Sequence, residues 1–276
     1  MIIWLASYPK SGNTWVRAII NSLINSNNSK CDLSSLSNIE KYPKKKHYQD
    51  LAKDFNDLHK IKKIWETSQD ILNLDNKIKF LKTHHVNCTM DNFSFTNDSN
   101  TLGVIHIVRD PRNVITSIKN HFFKNSYSDS LKFMLNQQKI ISVNSDDVPT
   151  LISSWNFNYK SWKAVNKNYL LIKYEDLISN LEKEVNKIIN YLNSFDKIKI
   201  NTENLNDIIS SSSFENFQKM EEQGLFTEGA LNIKTGEKRN FFYLGPKNKW
   251  QNLLNIQIKD EIEAKFKDEM SELGYI

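Results

Sequence analysis

Short apolar runs alternate with stretches of helical spacing along the chain. Residues 2–6 are an apolar run that predicts a strand, and from 15 to 23 the apolar residues recur every three or four positions, which predicts a helix. Further apolar runs predict strands over 78–81, 102–108 and 169–172. The run over 102–108 is nearly continuous, as in a strand that is buried on both faces of a parallel sheet.

Three more helices are predicted further along the chain. Asp110 and Pro111 open one of them, because proline suits the first helical turn. The other two cover 177–192 and 256–273, and the last stops at Gly274. Strands that alternate with helices predict an α/β fold: a central, mostly parallel sheet flanked by helices, of the kind that carries a phosphate-binding loop (P-loop). Residues 1–276 are expected to form a single domain.

Composition narrows the class of protein. The chain has 276 residues, of which 39% are hydrophobic and 25% charged, as in ordinary globular proteins. Its 37 basic and 32 acidic residues leave a formal charge of +5, which suits a small polyanionic ligand better than a nucleic acid. Cys31 and Cys88 lie far apart, and no apolar run approaches the roughly 18 residues of a membrane span. These features predict a soluble, cytoplasmic protein without a disulfide framework.

The clearest candidate for chemistry is the loop between the first strand and the first helix, which reads SYPKSGNTW. Backbone N–H groups at a helix start form an anion site, Gly12 lets the backbone approach a phosphate, and the hydroxyls of Ser11 and Thr14 can donate hydrogen bonds. The loop departs from a Walker A sequence, because its lysine is Lys10 and Asn13 takes the usual place of the lysine. A tight turn without a ligand is the plainer alternative, but the whole string in this context favours a phosphate site.

A second candidate lies where the strand over 102–108 ends, in the segment IVRDPRNVITSIKNHF. Arg109 at the strand end and Ser117 in the following helix could grip a phosphate from two directions. Arg109 and Arg112 are two of only four arginines in a lysine-rich chain. The pattern by itself favours a strand end with a surface salt bridge. Asp110 would be an awkward Mg²⁺ ligand beside an arginine, so a nucleotide triphosphatase is not indicated.

With these two segments the sequence resembles the sulfotransferase family. The resemblance implies transfer of a sulfuryl group from 3′-phosphoadenosine 5′-phosphosulfate (PAPS) to an acceptor hydroxyl. The loop residues that it places on this cofactor are Lys10, Ser11, Gly12, Asn13, Thr14 and Trp15. It implies that Lys10 contacts the oxygen that bridges phosphorus and sulfur, and that Thr14 contacts the 5′-phosphate while Trp15 stacks on adenine. Arg109 and Ser117 would bind the 3′-phosphate.

The segment FLKTHH, at the end of a predicted strand, is similar to the family's KTH. The resemblance assigns His84 as the base that takes the acceptor proton, Lys10 as the cation on the leaving oxygen and Lys82 as its helper. A sulfuryl group carries less charge than a phosphoryl group, so no metal ion is predicted. His84 and His85 are adjacent, and strand alternation points them in opposite directions. With the register shifted by one residue, His85 would be the base.

Two further segments match the family less closely. IKYEDL resembles a strand-end YEDL and places Tyr174 near the adenosine. The pair Ser213-Phe214 is similar to one whose ring packs on the adenine edge, although Phe214 could equally belong to a helix core.

The family's motif RKGxxGDW corresponds here to YLGPKNKW. Gly245 and Trp250 keep their spacing, but Tyr243 and Leu244 replace the two cations. Other cations would have to supply the charge at the 3′-phosphate, or the phosphate is held less tightly. The cations that the sequence offers for this role are Lys247, Lys249 and Arg239.

Two other classes of function stay open. A P-loop kinase would use ATP with Mg²⁺ and a metal-binding carboxylate, and a non-catalytic nucleotide-binding module would bind the bisphosphate product without turnover. The motifs at Lys10 and His84, taken together, favour a sulfotransferase over a kinase and over a binding module. The expected partner is a small-molecule, glycan or lipid hydroxyl, whose identity the sequence does not give.

Overall fold

The computed structural model describes residues 1–25, 30–142, 145–165, 167–200, 202–232 and 235–276. Their strands are β1 (Ile2–Ser7), β2 (Lys79–Thr83), β3 (Thr89–Met90), β4 (Phe93–Ser94), β5 (Thr101–Val108), β6 (Ile140–Ile141), β7 (Thr150–Leu151), β8 (Asn168–Lys173), β9 (Ala230–Leu231) and β10 (Lys238–Arg239). Their α-helices are α1 (Asn13–Ile24), α2 (Leu58–Ile61), α3 (Trp65–Asn73), α4 (Pro111–His121), α5 (Tyr127–Leu135), α6 (Trp155–Lys163), α7 (Tyr174–Ser179), α8 (Leu181–Asn193), α9 (Leu205–Ser211), α10 (Phe214–Glu222), α11 (Trp250–Leu253), α12 (Ile256–Lys265) and α13 (Lys267–Glu272). None of these helices is both long and apolar enough to cross a membrane.

The main sheet has the strand order β2-β1-β5-β8. β1 pairs in parallel with β2 on one side and with β5 on the other, so that Ala6 lies beside Thr83 and His106. All six residues of β1 are buried, because both neighbours and both faces of a central strand are covered. The predicted α/β fold with a parallel sheet is confirmed.

Internal contacts divide the described residues into two compact units, each built from three stretches of chain. The first unit comprises Met1–Tyr8, Ile39–Val108 and Leu135–Ile172. Its core centres on Trp4, whose ring lies 5.4 Å from Tyr42 and 5.9 Å from Trp162. The indole N–H of Trp4 donates to Thr101 Oγ1 at 3.0 Å, so that this buried donor is satisfied.

The second unit comprises Pro9–Asn38, Arg109–Met134 and Lys173–Ile276. It contains α1, α4 and every helix from α7 to α13. Phe217, Phe226 and Phe242 form an aromatic group in it. The ring centre of Phe242 lies 5.5 Å from that of Phe217 and 5.3 Å from that of Phe226. The single domain predicted for 1–276 stays a prediction.

Two helices that were predicted as continuous are each interrupted in the structure. The helix predicted over 177–192 is interrupted at Asn180, whose backbone is not helical (φ −154°, ψ 79°) and whose side chain caps α8 by accepting a hydrogen bond from Lys183 N. The helix predicted over 256–273 breaks at Phe266, which has φ −119° and ψ 20°. Apolar residues keep their spacing across both breaks, so periodicity alone does not reveal them. Gly274, with φ 69°, follows the last helix as predicted.

Candidate functional site

The loop after β1 enters α1 through two left-handed residues, Lys10 (φ 69°) and Gly12 (φ 104°). The left-handed conformation costs a lysine about 1–2 kcal/mol, because its Cβ crowds the backbone carbonyl. Such strain is typical of functional sites, where the surrounding structure enforces it. Gly12 occupies the N-cap of α1, and its carbonyl accepts the N–H of Trp15 at 3.0 Å.

Several hydrogen-bond donors in and beside this loop are buried, which indicates a site for an anion. The hydroxyl of Ser11 and the indole N–H of Trp15 have no hydrogen-bond partner in the part of the chain that the structure describes. The N-cap residue of α1, Gly12, has no side chain that could cap the first N–H groups of the helix. Buried donors without partners are costly, and an anion at the positive end of the helix would give the Ser11 hydroxyl a partner. The loop therefore fits a phosphate or sulfate group.

Tyr174 packs against the same loop. A Cβ added to Gly12 would lie 2.7 Å from Tyr174 Cδ2, so only glycine leaves room for the ring. The ring of Trp15 meets that of Tyr174 edge-on, with centres 5.7 Å apart. The structure thus brings together three of the residues that were predicted to bind the cofactor.

Arg109 joins this group from the start of α4. Its Nη1 donates to the carbonyl of Lys10 at 3.1 Å and to Ser117 Oγ at 3.3 Å. Its guanidinium lies 3.9 Å from the centre of the Tyr174 ring. Its Nε is buried and has no hydrogen-bond partner among the described residues. Arg109 and Ser117 are therefore adjacent, as predicted, and a donor remains for a ligand.

The ammonium group of Lys10 lies over an aromatic ring that the sequence did not point to. Its Nζ is 3.2 Å from the centre of the Phe241 ring. The Glu221 carboxylate accepts the backbone N–H of Phe241 at 2.7 Å and that of Phe242 at 2.9 Å, which fixes this segment to α10. A cation over a ring face is stabilised by the ring's quadrupole, so Phe241 positions the ammonium.

Arg112 and Asp110 form a structural pair. Both carboxylate oxygens of Asp110 accept hydrogen bonds from the Arg112 side chain, at 2.7 to 3.1 Å, and one of them also caps α4. Arg112 further pairs with Glu263 at 2.6 Å and lies 4.1 Å from the Trp250 ring. Asp110 is thus occupied as an arginine partner. Across the described ranges no three His, Cys, Asp or Glu side chains cluster in a way that could hold a metal ion.

The segment that corresponds to RKGxxGDW packs on α10 and α4. Gly245 is left-handed (φ 51°), and a Cβ there would clash with the Phe214 ring, so these two predicted residues are neighbours. Asn248 donates to the carbonyl of Asn113 at 2.8 Å. Lys247 is exposed at the end of a short 3₁₀ turn, Gly245–Lys247.

Arg239, one of the cations that could replace those missing from this motif, is engaged elsewhere. It donates to Glu237 at 2.7 Å and to the carbonyl of Asn120, at the end of α4, at 3.3 Å. Its guanidinium lies 4.6 Å from the Phe123 ring. These contacts favour a structural use of Arg239, and the source of the missing charge stays a prediction.

In the first unit, His84 follows β2 directly and is half-buried. Its Nδ1 lies 2.8 Å from the carbonyl oxygen of Ser7 and 3.2 Å from Ser7 Oγ. A carbonyl can only accept, so Nδ1 carries a proton, and in the neutral ring Nε2 then has the lone pair of a base. Asn158 Nδ2 donates to the His84 carbonyl at 3.1 Å and fixes the backbone there. Lys82, two residues earlier in β2, is 8% exposed.

His85 has a different environment. It is fully buried, stacked on Phe95 at 4.2 Å and edge-on to Trp65 at 4.8 Å. Its Nδ1 donates to the Val86 carbonyl at 2.7 Å, and burial lowers the pKa of the ring from 6.5 to about 4. A fully buried, neutral ring belongs to the core, which favours His84 over His85 as the base.

All predicted cofactor-binding residues lie in the second unit, and His84 and Lys82 lie in the first. Sequence reasoning missed Ser7 and Phe241, which orient His84 and Lys10. Ser7 stands in the quoted loop string, so its position beside the strand end was a usable signal. Phe241 lies far along the chain from Lys10, and nothing local connects the two.

Comparisons with known proteins identify the family. The family model described as a sulfotransferase domain matches residues 2–274. Sulfotransferase 2A1 of Macaca fascicularis is 25% identical over 275 residues, which cover 98% of this chain and 84% of that protein. Cytosolic sulfotransferase 13 of Arabidopsis thaliana is 22% identical over 283 residues, which cover 97% of this chain and 76% of that protein.

Solved structures are similar in fold. A mouse sulfotransferase, SULT7A1, complexed with PAP matches with a TM-score of 0.59 and 21% identity, over 97% of this chain and 84% of its own. Retinol dehydratase in complex with androsterone and the inactive cofactor PAP matches with a TM-score of 0.61 and 18% identity. The match covers 98% of this chain and 80% of that one.

Proposed function

The chain belongs to the sulfotransferase family, and on this basis we propose that it transfers the sulfuryl group of PAPS to an acceptor hydroxyl. One observation carries the proposal: Arg109 bonds both the carbonyl of Lys10 and the hydroxyl of Ser117 while its Nε lacks a partner among the described residues. Residues assigned to two different phosphates of one nucleotide are thus tied to one guanidinium.

The loop would hold the 5′ end of the donor. The N–H groups at the start of α1 and the hydroxyls of Ser11 and Thr14 face the kind of charge that a phosphosulfate carries. Arg109 and Ser117 would take the 3′-phosphate. Trp15, Tyr174 and Phe214 would contact the adenine. Gly245 and Lys247 would complete the 3′ side, with less positive charge than the family motif supplies.

The reaction would be a direct displacement at sulfur. The acceptor oxygen forms a bond to sulfur as the bond between sulfur and the bridging oxygen breaks, and the bisphosphate leaves. His84 would take the acceptor proton at Nε2, because its Nδ1–H is committed to the Ser7 carbonyl. Lys10 would stabilise the charge that grows on the leaving oxygen, with Lys82 as its helper.

The acceptor is proposed to be a small-molecule, glycan or lipid hydroxyl. A cytoplasmic location is proposed from cysteine usage: Cys31 and Cys88 are both free thiols, the first of them buried. No metal ion is assigned a role in the reaction.

A P-loop kinase fits the residues less well. A kinase needs a carboxylate on Mg²⁺, and both oxygens of Asp110 are held by Arg112. A binding module without turnover would need no oriented base, whereas the Nδ1 of His84 lies 2.8 Å from a carbonyl.

Ligand-induced thermal stabilisation tests the donor. Adenosine 3′,5′-bisphosphate and ATP with Mg²⁺ are compared on the wild type, Lys10→Ala and Arg109→Ala. Stabilisation by the bisphosphate alone, reduced in both variants, is expected. Preference for ATP with Mg²⁺, or no shift from either ligand, would overturn the proposal.

An acceptor screen with PAPS tests the base. His84→Gln is expected to keep bisphosphate binding within about twofold and to lose turnover by about 10²-fold or more. Wild-type turnover in His84→Gln would refute its role as the base.

A further inference from the structure

The segment after α13 docks onto the phosphate-binding part of the second unit. The carbonyl of Leu273 accepts a hydrogen bond from Lys173 Nζ at 2.9 Å, and that of Tyr275 accepts one from Arg112 Nη2 at 2.8 Å. The phenol of Tyr275 donates to Glu175 Oε2 at 3.0 Å. Tyr275 therefore contacts the start of α4 through its backbone and the start of α7 through its side chain.

Glu175 is the acidic group beside the residues that were assigned to the 3′-phosphate. Its other oxygen accepts the backbone N–H of Asp110, the residue after Arg109, at 3.0 Å. Burial raises the pKa of Glu175, and the positive charge of Arg109 opposes that rise.

Arg109 nevertheless makes no bond to this carboxylate. Its Nη1 bonds the Lys10 carbonyl and Ser117, and its Nε has no partner in the described ranges although the residue is only 5% exposed. Both oxygens of Glu175 are occupied, one by Tyr275 and one by the Asp110 backbone. The carboxylate is thus restrained next to an arginine that it would otherwise pair with.

We infer that Tyr275 is a positioning residue for the 3′-phosphate: its hydroxyl restrains the Glu175 carboxylate, so that Arg109 keeps its charge and its Nε–H for the phosphate. The inference rests on the proposed function, which assigns Arg109 to that phosphate. Without the hydroxyl, Glu175 can rotate about its side-chain torsions and pair with Arg109. The carboxylate then competes with the 3′-phosphate and leaves the 5′-phosphate site intact.

Calorimetric titration with two nucleotides separates this role from a structural one. The affinity for adenosine 3′,5′-bisphosphate is divided by that for 5′-AMP, which lacks the 3′-phosphate. In Tyr275→Phe this ratio is expected to fall about five- to tenfold, with the AMP affinity within about twofold of wild type. The double variant Tyr275→Phe/Glu175→Gln is expected to recover the ratio, because the competing charge is gone. Tyr191→Phe, on α8, is the matched control and is expected to keep it.

Each other outcome has a defined meaning. An unchanged ratio in Tyr275→Phe, or an equal loss of both affinities, would overturn the inference and leave the proposed function standing. A wild type that binds both nucleotides equally would overturn the proposed role of Arg109, and this inference with it. If Tyr275→Phe does not fold, Glu175→Gln alone decides: its ratio is expected to match or exceed that of wild type, and a fall of more than about threefold would refute the competition.

Discussion

Arg109 donates a hydrogen bond from Nη1 to the backbone carbonyl of Lys10, 3.1 Å away, and the same nitrogen reaches Ser117 Oγ at 3.3 Å. One planar group therefore fixes the loop after β1 against the second turn of α4. A lysine could supply the charge, but not several donors in a fixed fork. This guanidinium joins the two elements of the second unit that are proposed to bind the phosphates of the donor.

Arg109→Lys is accordingly expected to weaken binding of adenosine 3′,5′-bisphosphate at least about tenfold, or about 1.4 kcal/mol, even though the charge is kept. Isothermal titration calorimetry measures the effect. Arg239→Lys, which changes an arginine bound to α4 carbonyls and to Glu237, serves as the control and is expected to stay within about twofold. Equal affinities for wild type and Arg109→Lys would show that charge alone suffices at this position.

The ring of Phe241 is expected to shield the Lys10 ammonium. Phe241→Leu removes the ring face that lies 3.2 Å from Nζ, so acylation of Lys10 by a water-soluble anhydride should accelerate about threefold or more. Phe241→Tyr keeps the ring and should react as the wild type does. Mass spectrometry of the labelled peptide gives the rates, and identical rates in wild type and Phe241→Leu would contradict the contact.

Gly12→Ala is expected to be more destabilising than an alanine at another left-handed glycine. Both Gly12 and Gly224 have positive φ, but a Cβ at Gly224 meets no atom of the described chain within 4 Å, whereas one at Gly12 meets Tyr174. Urea unfolding of the two variants should therefore differ by about 1–3 kcal/mol, the usual cost of overpacking. Equal losses of stability would mean that Tyr174 moves aside freely.

Two buried histidines should make the protein less stable at acidic pH. Burial lowers the pKa of His85 to about 4 and that of His106 to about 3, from 6.5 in an exposed ring. Between pH 6.5 and 4 the unfolded chain binds protons at these positions and the folded chain does not, so stability falls as the pH falls. Across this pH range, protonation of His85 in the unfolded chain lowers the free energy of unfolding by about 3 kcal/mol.

The slope of unfolding free energy against pH tests this, measured by urea titration from pH 7 to 4.5. His85→Phe should give a shallower slope than wild type, whatever its absolute stability. His59→Gln, a change at an exposed histidine, should leave the slope as it is. A wild-type slope in His85→Phe would contradict the assigned protonation state.

The elements that sequence could predict are those with a local signal. The strand run over 2–6 and the glycine-containing loop gave β1, the loop and the start of α1, because burial and turn chemistry act on neighbouring residues. Asn180 carried a signal as well, since asparagine favours N-caps, but the continuing apolar spacing outweighed it.

Other relationships had no such signal. The bond between Glu175 and Tyr275 joins residues that are 100 positions apart, and either side chain alone is ordinary. The cation–ring contact between Lys10 and Phe241 is of the same kind. The sequence therefore predicted which residues would bind charge, and tertiary packing decides which residues hold them in place.

The left-handed conformation of Lys10 (φ 69°) implies a trade-off between stability and activity at a single position. Lys10→Gly should be more stable than Lys10→Ala by about 1 kcal/mol, because alanine retains the Cβ that the conformation disfavours and glycine does not. Yet neither variant carries a cation, and both should lose turnover. Selection for thermal stability alone would therefore favour glycine at position 10. A library screened for folding should be enriched in glycine there, whereas a library screened for turnover should be enriched in lysine.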